Sequence, residues 1–112
     1  PMIVRETGSG TLKALRGALK AKSLRLHDHF HIVAEIGNTA GVIAGINCGL
    51  GVSILSTRAI EDDLKYQSLV ALDIQGIDLQ RQFYLVSDQR RTLSPLARAF
   101  QKYVINIVRT DA

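Results

Sequence analysis

The sequence predicts an α/β domain whose mostly parallel sheet carries helices on both faces. Three observations lead there. Short apolar, β-branched runs alternate with stretches in which apolar residues recur every three or four positions. Glycine-containing loops stand where strands pass into helices, as in "ETGSGT" and "IGNT". The 112 residues, 46% apolar and 21% charged, hold no internal repeat or low-complexity tract and suffice for one core without disulfide or metal staples.

The elements follow in order. Met2 to Arg5 is a short apolar strand, and "ETGSGT" is the glycine loop after it. Apolar positions 12, 15, 18 and 19 then repeat at helical spacing, with Lys13, Arg16, Lys20 and Lys22 largely on other faces, which predicts a helix over about 11–23. "LHDH" reads as a turn, and "FHIVAEI" at 30–36 as the second strand.

Residues 36–56 contain no charge and place glycine at 37, 41, 45 and 49. A membrane helix needs about 20 continuous, strongly apolar residues, whereas this run is interrupted by Asn38, Thr39, Asn47 and the break "CGLG". It divides instead into a helix from about Thr39 to Cys48, a stop at Gly49, and a buried strand "GVSILS". Glycines four apart share one helix face, so Gly41 and Gly45 predict close packing against a strand.

Thr57 reads as the cap of a helix over 57–65, "LVALDI" at 69–74 as a strand, and "QFYLVS" at 82–87 as another after a turn at Gly76. Ser94 as N-cap and Pro95 at the first helical position open a last helix, with Leu96, Ala99, Phe100, Tyr103, Val104 and Ile107 on its apolar side. In such sheets ligands sit at the carboxyl ends of the strands.

Composition narrows the function. The net charge of +4 is spread along the chain, so no basic run tracks a phosphate backbone, and nucleic-acid binding by this segment does not follow. Cys48 is the sole cysteine, which excludes an internal disulfide and paired-cysteine metal spacings and points to a reducing, cytoplasmic setting. "PMIVRETGSG" lacks the pattern of a secretory leader, and a start on Pro1 suggests a piece of a longer protein.

Two loops are candidate binding sites. Each ends at a predicted helix N-terminus, where free N–H groups and the helix dipole suit carboxylate, sulfate or phosphate, with Ser9, Thr11, Asn38 and Thr39 adding polar contacts. Plain capping would use the same residues. "GSGT" lacks the spacing and lysine of a nucleotide-binding P-loop, and "GLGVSI" precedes a strand rather than following one, so nucleotide and dinucleotide readings fail. His27, His29 and His31 have no second ligand cluster and read as solvated. Cys48, in an apolar helix without a base, reads as a buried thiol, and "EDD" at 61–63 as a solvated face. No catalytic set, metal site or cofactor is expected.

The succession "RETGSGT", "AEIGNT", "GLGVSILS", "LVALDI", "RQFYLV" and "RTLSPLARAF" resembles the effector-binding region of LysR-type transcriptional regulators over residues 1 to about 107. The resemblance implies a periplasmic-binding-protein-like fold: two α/β subdomains flank an effector cleft, and a separate winged helix-turn-helix binds DNA. Residues 1–81 would be the second subdomain. Residues 82–112 would supply a crossover strand and a last helix that packs on the first subdomain. Ser9, Gly10 and Thr11 in the first loop, and Glu35, Gly37, Asn38 and Thr39 in the second, would face the cleft. Ala40 and Leu12 stand where the family commonly has an acidic residue and an arginine, so ligand identity does not transfer. A homodimer through helix 11–23 and strand 30–36 is also implied.

The expectation is therefore an effector-sensing segment binding a small, anionic metabolite, touching DNA only through another domain, with no membrane contact. A lobe of a solute-binding transport protein is the rival, and an enzyme comes third.

Overall fold

A computed structural model describes residues 1–110. It divides into two compact units, Pro1–Arg81 and Gln82–Ala112. The end of the predicted 82–112 segment, residues 111–112, lies outside the described residues.

The first unit is built on a three-stranded parallel sheet in the order β2-β1-β3, with β1 Met2–Arg5, β2 Ile32–Ile36 and β3 Val52–Ser53. Helix α1, Gly10–Ala21, joins β1 to β2 by way of the short helix α2, Leu26–His29; α3, Thr39–Asn47, joins β2 to β3. The chain thus steps from β1 to one side and returns to the other. With right-handed crossovers, that reversal puts the two connecting helices on opposite faces of the sheet.

The side chains of β1 bear this out by alternation. Met2 and Val4 pack with Leu12, Leu15 and Leu19 of α1 and with Leu26. Ile3 and Arg5 point the other way: Ile3 lies under Gly45 of α3, and Arg5 reaches Thr39. Met2, Ile3, Leu15 and Val42 are the largest fully buried side chains, so the core straddles β1.

The paired glycines of α3 serve this packing. A Cβ on Gly41 would stand 2.7 Å from Ile36 Cγ2, and one on Gly45 2.8 Å from Ile3 Cδ1. The close neighbours are therefore strand side chains. Gly49 ends the helix with φ +78°: its N–H donates to the Ile46 carbonyl and that of Leu50 to the Gly45 carbonyl, the paired bonds of a Schellman stop. Residues 36–56 are thus helix, glycine stop and strand, and no helix among the described residues is long and apolar enough to cross a membrane.

Several expectations are corrected. Residues 69–74 and 82–87 form no strand, and β3 keeps only two residues of the predicted six. Apolar composition favours a strand only where a neighbouring edge accepts its N–H and C=O groups and a layer covers its side chains. Here Val70 and Leu72 stay exposed. "LHDH" is one turn of helix, so His27 and His29 are helical and share no strand face with His31. The predicted helix 57–65 is a 3₁₀ turn, Thr57–Ile60, followed by α4, Glu61–Lys65, and Thr57 is not its cap. Helix α1 begins and ends earlier than predicted because Ser9 caps it and Ser23, at φ +57°, stops it.

Cys48 is exposed, not buried: it is the C-cap of α3, where the helix runs out at the surface. In the second unit, α5 spans Pro95–Thr110, and Ser94 Oγ accepts from the Ala97 N–H at 3.2 Å, the predicted cap. None of its residues is buried.

Candidate functional site

Because β1 and β2 are parallel, the loops after them leave the sheet at the same rim. Each is shaped by its own capping chemistry. After β1 the chain turns at Gly8, φ +99°, as the Ser9 N–H donates to the Glu6 carbonyl at 3.0 Å. Ser9 is buried, and its Oγ accepts from the Leu12 N–H at 3.5 Å. After β2, Asn38 Oδ1 accepts from the Gly41 N–H at 2.7 Å, a tighter cap. Ser9 and Asn38 are thus occupied as caps, the alternative that the sequence left open for them.

Caps and first helical bonds satisfy the third and fourth amides of each helix. The first two, those of Gly10 and Thr11 in α1 and of Thr39 and Ala40 in α3, find no protein acceptor among the described residues, as helix geometry dictates. Neither first turn contains an acidic residue. The Arg81 guanidinium also lies over the start of α1, so close that a Cβ on Gly10 would stand 2.8 Å from Nη1. Each helix start carries the positive end of its own dipole.

Arg5, the last residue of β1, ties the two loops together. Its Nε and Nη2 donate to the Glu6 carboxylate at 2.8 and 2.9 Å, Nη1 donates to Thr39 Oγ1 at 3.1 Å, and Nη2 stands 3.5 Å from the Gly37 carbonyl. The guanidinium is well sheltered, its side chain 18% exposed against 39% for Glu6. Its hydrogen bonds and charge hold the Glu6 carboxyl below its ordinary pKa. Sequence reasoning singled out neither Arg5 nor Glu6. The available signal was a charged pair, "RE", ending an apolar strand just before a glycine loop.

Of the sequence-predicted residues, Gly37, Asn38 and Thr39 gather with Arg5, while Ser9, Gly10 and Thr11 start α1 at the same rim. Glu35 is exposed on β2, in register with Val4 and therefore on the α1 side of the sheet. Thr11 also lines a cavity of about 10 Å³ beneath β1, with room for one water and no metabolite. Among the described residues no group of three His, Cys, Asp or Glu could hold a metal ion.

The profile of the family described as "LysR substrate binding domain" matches residues 1–107. The "RuBisCO operon transcriptional regulator" of Allochromatium vinosum is 35% identical over 104 residues, 93% of this chain and 33% of that protein. The "HTH-type transcriptional activator CmpR" of Synechocystis sp. is 30% identical over 104 residues, again 93% and 33%. The "Phosphonates import ATP-binding protein PhnC" of Anaeromyxobacter dehalogenans is 32% identical over 100 residues, 89% of this chain and 20% of that protein. Its name denotes an ATP-binding component, not a solute-binding lobe. The chain spans about one third of the length of the regulators it matches, and no solved structure matches it. The parallel sheet, its two loops at one rim and these matches together show that the chain belongs to the LysR substrate-binding domain family, the effector-binding region of LysR-type transcriptional regulators.

Proposed function

We propose that this chain is one lobe, the second subdomain, of a two-lobed effector-binding region, and that a small anionic metabolite binds where α1 and α3 begin. The observation that carries this is the pair of helix starts at one rim, each with open amides and no acid in its first turn. Ser9, Gly10, Thr11, Gly37, Asn38 and Thr39 form the contact surface, with Ser9 and Asn38 acting chiefly by holding the amides in place. Glu35, an acceptor, faces a hydroxyl or amine of the ligand. The cavity beneath β1 is too small for a metabolite, so the ligand lies on an open surface that a first lobe closes.

Residues 82–112 would pack on that first lobe. Leu96, Phe100 and Tyr103 of α5 and Phe83 to Val86 offer the apolar surface for it. The unpaired outer edge of β2 and the exposed face of α1 would form a homodimer contact, and DNA would be read by a separate winged helix-turn-helix domain in the cytoplasm. The protein acts by binding, not turnover: the effector biases lobe closure through its differential affinity for two arrangements.

The test is a thermal-shift screen of small anionic metabolites against the two-lobed protein. A ligand at a hundred times its Kd stabilises by about 2.7 kcal/mol. Thr39→Ala should remove most of that gain. A stabilising ligand that ignores Thr39→Ala would move the site elsewhere.

A further inference from the structure

We propose that Arg5 is a positioning residue that sets the hydrogen-bonding polarity of Thr39, so that the site selects ligands offering acceptor oxygens. This rests on the anion-binding reading above. A threonine hydroxyl has one proton and two lone pairs, and it rotates to suit its neighbours. Arg5 can only donate, so the bond from its Nη1 to Thr39 Oγ1 at 3.1 Å occupies a lone pair and turns the hydroxyl proton away from the guanidinium. No acceptor for that proton is present among the described residues. It is left to donate to a carboxylate or phosphate oxygen at the start of α3, beside the open amides of Thr39 and Ala40.

Glu6 makes the arrangement rigid. Its two oxygens take Nε and Nη2 in a fork, which leaves Nη1 aimed at Thr39. The same fork offsets the charge of Arg5, so Arg5 is not the ligand's counter-ion. It acts through residue 39, and its effect on binding must depend on a hydroxyl there. A merely structural role would not have that dependence.

The experiment titrates the 112-residue chain with inorganic phosphate at constant ionic strength, following the amide resonances of Gly10, Thr11, Thr39 and Ala40. Arg5→Met should weaken phosphate binding roughly five- to tenfold, the scale of one ordinary net hydrogen bond. It should do so equally beside Thr39→Ser, which keeps the hydroxyl. Beside Thr39→Val it should add nothing. An Arg5→Met loss of the same size in the Thr39→Val background overturns the proposal, as does phosphate binding that Arg5→Met leaves unchanged. Phosphate that moves none of these amides in the unaltered chain overturns the anion reading instead. Arg5 is then judged without ligand: Arg5→Met must shift the Gly37 to Gly41 amides, and resonances that stay put overturn its positioning role.

Discussion

Helices α1 and α5 carry the same kind of amphipathic pattern and meet different fates. Along α1, Leu12, Leu15 and Leu19 disappear into the core against Met2 and Val4. Along α5, Leu96 is 81% exposed, Phe100 60% and Tyr103 64%. Both helices are properly capped, by Ser9 and Ser94, so local chemistry is not the difference. The difference is a covering layer. An apolar stripe states that a face is made for burial, but only a complementary surface can remove it from water.

If α1 is packed and α5 is not, truncation should separate them. Leu15→Ala should cost about 2–5 kcal/mol in urea unfolding of this chain, because it removes a buried side chain and leaves a void. Phe100→Ala should change stability by less than about 0.5 kcal/mol, as exposed substitutions do. Equal losses would show that the α5 face is covered in solution, and the contrast would vanish.

A second pair of substitutions sets α3 against α1. A methyl on Gly45 meets Ile3 Cδ1 at 2.8 Å, and because Ile3 is fully buried its side-chain tip must shift within a filled core. Overpacking of about 1–3 kcal/mol should outweigh the roughly 1 kcal/mol gained in helix propensity, so Gly45→Ala should lower the unfolding midpoint. Gly17, on α1, has nothing within 4 Å of a built Cβ, and Gly17→Ala should raise stability by up to about 1 kcal/mol. A stabilising Gly45→Ala would mean that α3 sits further from β1.

The smallest effect concerns pH at the rim. Arg5 lowers the folded pKa of Glu6, so the loop tie is complete above the ordinary carboxylate range and is lost as pH falls through that lowered value. The amides of Gly37 and Thr39 should follow Glu6 in that acid window when titrated by NMR, and Arg5→Met should abolish the coupling. Asp88 is also lowered, by Arg90, but both partners are exposed and no packed element depends on them. An acid titration at Gly37 and Thr39 that persists in Arg5→Met would assign it to another group.

Much of the first unit, and the start of α5 in the second, was legible because the signals are local. Caps at Ser9, Asn38 and Ser94, the stop at Gly49 and helical spacing in α1 each involve residues close in sequence. The loops of the candidate site were legible for the same reason, since a strand, a glycine loop and a cap in succession define a helix start. The tie from Arg5 to Thr39 spans 34 positions and depends on which way the last residue of β1 points, so no local pattern announced it. The segments 69–74 and 82–87 failed for the opposite reason: their composition suits a strand, but a strand requires an edge to pair with.

The amino-acid order alone determined the caps at Ser9, Asn38 and Ser94, the stop at Gly49, and that two amide-rich loops follow two strands. Tertiary structure decided which apolar runs joined the sheet, that Cys48 reaches the surface, and that Arg5 bridges the loops. Capping and periodicity are properties of neighbours along the chain. Burial and strand pairing belong to pairs of surfaces that only folding, or a partner, brings together.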